Sequence, residues 1–323
     1  MTRFSLLVAL LFASLAAQAQ STQSAYPNKT IHMIVPLAPG SAVDNAARIL
    51  AQKMSVGLGQ AIVTENLPGA AGLIGAEKVA KALPDGYTIG GFNDSILTMI
   101  PNIYPKINWN ALTDFDPISL VATVEWGLVV KEDSPYKTVA DFIAAAKAAP
   151  GKLNYGSGGI GSPQHIAMAL FATRAGINVT HVPYKGATPG ALAVATGEVD
   201  AGMQGLATVT SLMQAHKLRL LAVSTQKRLP QYPDVPTVDE GGLKGFFFNS
   251  WFAMVAPAGT PAAIIDRLNT EMQKALEDPA IRAKLVSYGL TVRGSSAKEL
   301  GADTKKQFEM YKQLIKANGI TAE

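Results

Sequence analysis

Short apolar runs rich in β-branched residues alternate along this chain with longer segments of helical period. The run from Thr30 to Pro36 predicts a buried strand. In the segment that follows it, Ala46, Ile49, Leu50 and Met54 recur near one face, at the spacing of a helix that covers a sheet. Two more strands with a helix between them are predicted before residue 93. Strand and helix alternating through short connections indicate an α/β layer.

A second series of strands and helices follows a connecting segment at residues 119–135. Helix starts are marked by Thr138 with Asp141 and by Ser296 with Glu299, which resemble capping boxes. Thr260-Pro261 predicts an N-cap followed by a proline at the first helical position. The simplest architecture that fits this order of elements is two α/β lobes joined by two extended segments. The predicted first lobe comprises residues 26–125 and 246–323, and the second comprises residues 126–245.

The sequence of residues 1–19 predicts a secretory signal peptide. Arg3 is followed by an apolar stretch from Phe4 to Ala16 and by an A-x-A signal that predicts cleavage after Ala19. The apolar stretch is short for a membrane span, so an N-terminal anchor is the less favoured alternative. We therefore expect a secreted protein that is soluble once the signal peptide is removed.

Charge and cysteine content exclude several classes of protein. The chain has 28 Lys and Arg against 24 Asp and Glu, and loss of Arg3 with the signal peptide lowers the net charge from +4 to +3. A surplus this small, without a block of consecutive basic residues, does not indicate a surface that binds nucleic acid. With no cysteine, thiolate catalysis and cysteine-bound metal centres are excluded.

Gly156, Gly158 and Gly161 spell G-x-G-x-x-G between a predicted strand and a predicted helix, as in dinucleotide-binding folds. That fold also requires an acid about 20 residues further on for the ribose. No acid lies between Gly161 and Glu198, and no Lys-Ser/Thr pair makes the loop a P-loop. We therefore expect no nucleotide and no other cofactor.

The sequence still allows an anion-binding site at the same loop. Ser162 stands where an N-cap belongs and Pro163 at the first helical position, so the free donors are the amides of Gln164 and His165 with those of the loop. Gly40 to Ala42 repeat the arrangement in the first lobe. Two helix starts that face one cleft could hold a carboxylate; alternatively, both are ordinary capped turns.

Signals for catalysis are weak. Neither Ser157 nor Ser162 sits in a G-x-S-x-G elbow, and the four histidines lack the spacing of a metal site. A histidine at a helix start is disfavoured as a cation, so His165 is expected to be a neutral hydrogen-bonding group. Asp114 and Asp116 fit a solvated turn better than a glycosidase pair. We therefore expect neither an enzyme nor a metal site.

Several segments closely resemble the Bug (Bordetella uptake gene) family of TctC-type periplasmic solute-binding proteins of tripartite tricarboxylate transporters. They include "YPNKTIHMIVPLAPGSAVD", "GKLNYGSGGIGSPQH" and "HVPYKGATPGALAVATGEVDAG". The resemblance runs in order from Tyr26 to Gly319. It implies a type II Venus-flytrap fold, in which two mixed-sheet, Rossmann-like lobes are joined by two extended crossovers and close on an organic acid.

The resemblance also implies a ligand site in the loops at the cleft. Among the aromatic residues, Trp251 is the better cleft candidate, while Trp126 and the run from Phe246 to Phe248 are expected in the core. Ser41 and Ala42 replace glycines usual in the family, and Gln204 replaces an acid that would suit an amino group. The predicted ligand-binding residues are Pro39, Gly40, Ser41, Ala42, Asp44, Asn93, Asp94, Ser95, Ser157, Gly161, Ser162, Gln164, Tyr184, Gly186, Gln204 and Trp251.

The functional expectation is a monomeric, non-enzymatic receptor for a small organic carboxylate, with a dicarboxylate or an aromatic carboxylate favoured. Its partners would be the membrane permease subunits of a tripartite tricarboxylate transporter. Two alternatives stay open at this point. One is a sensory receptor that docks on a membrane histidine kinase, and the other is a secreted hydrolase.

Overall fold

The strands of this protein form two separate mixed sheets, each covered by helices. The structure is a computed structural model that describes residues 26–104, 106–317 and 319–321. The predicted signal peptide, residues 1–19, lies outside the described residues. Within the described part of the chain, no helix is long and apolar enough to cross a membrane.

The first sheet has six strands in the order β11-β4-β10-β3-β1-β2. They are β1 (Ile31–Val35), β2 (Ile62–Asn66), β3 (Thr88–Asn93), β4 (Phe115–Val124), β10 (Ser250–Pro257) and β11 (Leu290–Val292). The first three strands are parallel, and β10 runs antiparallel between β3 and β4. A strand from the C-terminal part of the chain thus completes the first lobe.

The second sheet has five strands in the order β7-β6-β8-β5-β9. They are β5 (Trp126–Lys131), β6 (Asn154–Ser157), β7 (Thr180–Pro183), β8 (Ala201–Gly205) and β9 (Leu218–Val223). Strands β6, β7 and β8 are parallel, whereas β5 is antiparallel to both of its neighbours. This mixed topology in two lobes confirms the predicted fold class.

Two connections join the lobes. One is Glu125, which stands alone between β4 and β5, and the other follows β9 and enters β10 through residues 224–249. The buried Glu125 side chain accepts a hydrogen bond from Thr291 Oγ1 at 2.7 Å. Ser224 Oγ donates to the carbonyl of Phe248 at 2.6 Å and to that of Trp126 at 3.2 Å. The bond from Ser224 to Trp126 holds the second connection against the start of β5, next to Glu125.

Helices cover both sheets, and capping signals in the sequence predict where several of them begin. They are α1 (Ala42–Leu58), α2 (Leu73–Ala80), a π-helical turn (Ser95–Met99), α3 (Ile100–Ile103), α4 (Val139–Ala148), α5 (Pro163–Ala175), α6 (Ala187–Thr196), α7 (Leu206–Gln214), α8 (Ala262–Glu277), α9 (Pro279–Ser287) and α10 (Ala297–Ala317). The Thr138 and Ser162 caps are confirmed. The predicted Thr260 cap is wrong, because its hydroxyl donates to the Pro257 carbonyl and α8 begins one residue later than predicted, at Ala262.

The predicted apolar face of α1 is confirmed. Ala46, Ile49, Leu50 and Met54 are all buried in the largest core cluster of the described residues. Burying one such Ile, Leu or Met side chain contributes roughly 1.5–3 kcal/mol. The helix is therefore held against its sheet, and its N-terminus is fixed at the cleft between the lobes.

Candidate ligand site between the lobes

A cavity of about 280 Å³ lies between the two lobes. Its walls follow the carboxyl ends of β1, β3, β6 and β7, where ligands bind in open α/β sheets. The lining residues are Pro36, Leu37, Ala38, Ser41, Ala42, Val43, Pro68, Gly69, Ala71, Gly72, Asn93, Ser95, Tyr104, Val124, Trp126, Gly158, Gly159, Ile160, Ser162, Pro163, Gln164, Pro183, Tyr184, Lys185, Gly186, Ala187, Gly205, Thr208 and Ser250. Both lobes contribute to it, together with Val124, Trp126 and Ser250, which flank the two connections.

The first-lobe loop, residues 36–41, is held by Asp44. Ser41 Oγ accepts the backbone N–H of Asp44 at 3.2 Å and caps α1. The buried Asp44 carboxylate accepts the N–H of Gly40 at 2.8 Å and is bonded by Arg48 Nε at 3.0 Å and Asn66 Nδ2 at 2.9 Å. Asp44 therefore shapes the loop and is not part of the cavity wall.

The second-lobe loop, residues 158–162, is held by two neutral histidines. Ser162 Oγ accepts the N–H of His165 at 3.4 Å and caps α5, while His165 Nδ1 accepts the N–H of Gly161 at 3.1 Å. The His165 ring stacks on His181 with 4.1 Å between centroids, and His181 Nε2 lies 2.5 Å from Ser157 Oγ. Burial lowers the pKa of both histidines to about 4. His165 is thus a neutral hydrogen-bond acceptor, as its position predicts.

The two helix starts present the same arrangement to the cavity. Val43 in α1 and Gln164 in α5 each occupy the second helical position, where the N–H has no partner inside the helix. Within the described structure, no hydrogen bond engages either of these N–H groups. Both residues line the cavity. The cavity therefore lies between two helix N-termini whose partial positive charge favours an anion.

The two lobes contact each other around the cavity. The N–H of Ala42 donates to Thr208 Oγ1 across the cleft at 3.0 Å, and Thr188 Oγ1 donates to the carbonyl of Pro39 at 2.9 Å. On another side, Tyr104 donates its hydroxyl proton to the carbonyl of Ile160 at 3.2 Å. This is the arrangement expected of a closed binding protein.

Half of the sequence-predicted site residues line the cavity, and half do not. Those that line it are Ser41, Ala42, Asn93, Ser95, Ser162, Gln164, Tyr184 and Gly186. Those placed outside the lining are Pro39, Gly40, Asp44, Asp94, Ser157, Gly161, Gln204 and Trp251. Most residues of the second set support the loops or the contact between the lobes.

Strand alternation explains the position of Trp251. Successive side chains of a strand point to opposite faces, and Ser250 of β10 lines the cavity. Trp251 therefore lies on the other face, where its Nε1 donates to Gln307 Oε1 at 2.7 Å. Gln204 likewise stands next to a cavity-lining residue of its strand, Gly205, so its side chain points to the opposite face. Its amide is fully buried without a hydrogen-bond partner among the described residues.

Trp126 is buried in the core, as the sequence predicts, and it also forms part of the cavity wall. Its Nε1 donates to Ser250 Oγ at 2.8 Å, and its ring packs edge-on against Phe248 with 5.4 Å between centroids. Its position directly after Glu125, the first connection between the lobes, could have indicated that it lies at the cleft. No sequence pattern pointed to Tyr104, Val124 or Thr208 as lining residues.

A family model described as the tripartite tricarboxylate transporter family receptor, TctC, matches residues 46–320. The chain is 37% identical over 309 residues to the UPF0065 protein in the tcbD-tcbE intergenic region of Pseudomonas sp. strain P51, covering 95% of this chain and 91% of that protein. It is 33% identical over 292 residues to the protein BugT of Bordetella pertussis, covering 90% of each chain.

Solved structures agree with these relatives. Rpa4515 of R. palustris, solved with adipate, has a TM-score of 0.89 and 33% identity, over 92% of this chain and 99% of that one. MatC of Rhodopseudomonas palustris, solved with bound malate, has a TM-score of 0.85 and 28% identity, over 90% of this chain and 100% of that one. The protein therefore belongs to the tripartite tricarboxylate transporter receptor family, as a Bug/TctC-type periplasmic binding protein.

Proposed function

We propose that this protein captures an organic carboxylate between its lobes in the periplasm and delivers it to the permease of a tripartite tricarboxylate transporter. The observation that carries the proposal is the pair of serine-capped helix starts that face one cavity with open N–H groups at Val43 and Gln164. Such groups bind a carboxylate without a basic side chain. Adipate and malate in the two structural neighbours support the same class of ligand.

The mechanism follows from the contacts across the cleft. A carboxylate bound to the start of α1 draws the start of α5 towards it, because both helix dipoles favour the same negative charge. The lobes then meet at the bonds from Ala42 to Thr208 and from Thr188 to Pro39. A ligand shifts the population towards this closed form by its differential affinity, and the permease would recognise that form.

A thermal-shift screen of organic acids tests the proposal. A ligand at one hundred times its dissociation constant stabilises the folded protein by about 2.7 kcal/mol, which gives a readable rise in melting temperature. We expect at least one carboxylate, and no matched amide of the same acid, to raise the melting temperature. If no carboxylate does so, the proposed class of ligand is wrong; turnover of a carboxylate by the purified protein would indicate an enzyme instead.

Thr208→Val should weaken binding by removing a hydrogen bond between the lobes. The variant keeps the shape of the side chain but leaves the Ala42 N–H without its acceptor in the closed form. This should cost about 1–2 kcal/mol, or about tenfold in affinity by calorimetry.

Thr210→Val is the matched control for this variant. It lies on the same helix, and its hydroxyl donates within that helix to the Leu206 carbonyl. Its affinity should equal that of the unmodified protein. Equal affinities for both variants would show that the bond across the cleft does not contribute to binding.

A further inference from the structure

The mouth of the cavity between the lobes carries a cation. Of the described residues that line this cavity, only Pro68, Pro183 and Lys185 are exposed, so they form its mouth. Lys185 is also the only Lys, Arg, Asp, Glu or His among the described lining residues. A positive charge therefore stands where a ligand enters the cleft.

The charge of Lys185 is not neutralised by a neighbouring acid. Within the described part of the chain, its ammonium group forms no ion pair. Glu198 accepts the hydroxyl of the preceding residue, Tyr184, at 2.7 Å and does not line the cavity. The Lys185 charge is thus left to act on an approaching anion.

Lys185 lies on a segment that meets the other lobe. The next residue, Gly186, is so close to the first lobe that a Cβ at this position would lie 2.5 Å from Ala38 Cβ. The segment 183–186 of the second lobe therefore packs against the loop 36–41 when the lobes are closed. When the lobes separate, this contact is lost and Lys185 stands at the entrance of the open cleft.

Lys185 and the helix starts act over different distances. The field of a helix N-terminus falls off within the first turn, so the starts of α1 and α5 attract a carboxylate only once it is inside the cavity. A full charge at the mouth acts over about the Debye length, which is about 10 Å at 0.1 M salt. A charge at the rim of a site mainly changes the association rate and its dependence on salt. Lys185 therefore suits the capture of an anion more than its retention.

We propose that Lys185 is a steering residue, which draws an organic anion to the mouth of the open cleft, from where it reaches the starts of α1 and α5. This inference rests on the proposed function and adds to it the step by which the ligand enters. It assigns Lys185 to the rate of capture and the two helix starts to the strength of binding.

Stopped-flow kinetics of Lys185→Met test the inference, with adipate and malate as probes. Tryptophan fluorescence gives the signal, because Trp126 lies in the cavity wall. Methionine keeps an unbranched side chain and removes the charge. Association should slow about fivefold at about 10 mM salt and less than about twofold at about 1 M salt, where the Debye length is only about 3 Å. The dissociation rate should stay unchanged, and Lys185→Arg should restore the association rate.

Lys152→Met is the matched control. Lys152 is an exposed residue of the same lobe that precedes β6 and so lies at the end of this strand away from the cavity. It also forms no ion pair with a described residue. This variant removes the same charge from the protein as a whole and should leave both rates unchanged.

The outcomes separate the inference from the proposed function. An unchanged association rate in Lys185→Met, an equal loss in Lys152→Met, or a change confined to the dissociation rate overturns the inference and leaves carboxylate capture intact. If neither adipate nor malate binds, the rates are measured with a carboxylate that raises the melting temperature in the thermal-shift screen. A screen in which no carboxylate binds overturns carboxylate capture and the inference with it.

Discussion

Gly161→Val should abolish carboxylate binding, with a loss of affinity of more than about 100-fold. Gly161 has a backbone φ of +81°, which L side chains rarely adopt. A Cβ at this position would lie 3.0 Å from Ile103 Cδ1 and 3.5 Å from Ile100 Cγ1, both in the opposite lobe. A valine would therefore distort the loop before α5 and hold the lobes apart. From the sequence alone, the same variant would be expected to act by blocking the helix-start amides.

Gly176→Val is the matched control, because it lies at the other end of the same helix. Its φ is +62°, and a Cβ there would meet no atom within 4 Å. Both variants should lose roughly 1–2 kcal/mol of unfolding free energy from the left-handed backbone, measured by urea denaturation. Only Gly161→Val should lose binding by calorimetry. Similar losses of affinity in both variants would mean that backbone strain, not contact between the lobes, is responsible.

Asp94→Asn should remove a pH dependence from the stability of the fold. Asp94 is fully buried, and neither carboxylate oxygen has a hydrogen-bond partner among the described residues. Burial raises the pKa of Asp94 well above its ordinary value, and the nearby backbone N–H groups of Ser95 and Trp251 oppose this only in part. The folded protein therefore keeps a proton that the unfolded chain releases near pH 3.9.

The direction in which stability changes with pH follows from that difference in bound protons. Above the unfolded-state pKa the folded protein binds more protons, so its stability falls as pH rises towards the folded-state pKa of Asp94. The loss is up to about 1.4 kcal/mol for each pH unit in that window. Urea denaturation between pH 5 and pH 7 should show this slope in the unmodified protein and a smaller one in Asp94→Asn. Parallel slopes would contradict the assignment, and unchanged ligand affinity would agree with the position of Asp94 outside the cavity lining.

Much of what was predicted from the sequence depends on interactions between residues that are close together in the chain. The capping signals at Thr138, Ser162 and Ser296 mark true helix starts because a cap bonds groups only a few residues away. The apolar periodicity of α1 identified its buried face for the same reason. Helix α9 and strand β11 were missed, since nine and three residues carry too little periodicity to identify an element.

The direction of a side chain relative to the cavity was decided by tertiary structure. Trp251 and Trp126 both lie in apolar strands, yet only Trp126 lines the cavity. A shift of one residue along a strand moves a side chain to the opposite face. Which face meets the cleft depends on how the strand joins its sheet.

The sequence by itself determined most of the order of strands and helices, the serine-capped helix starts and the resemblance to a family of receptors, because each depends on neighbouring residues or on motifs in order. The contacts between the lobes were decided only when the chain folded. Thr208 meets Ala42 across 166 positions, and Gly161 faces Ile103 from the other lobe. Pairs so distant in sequence leave no local pattern, because their proximity depends on the packing of every element between them.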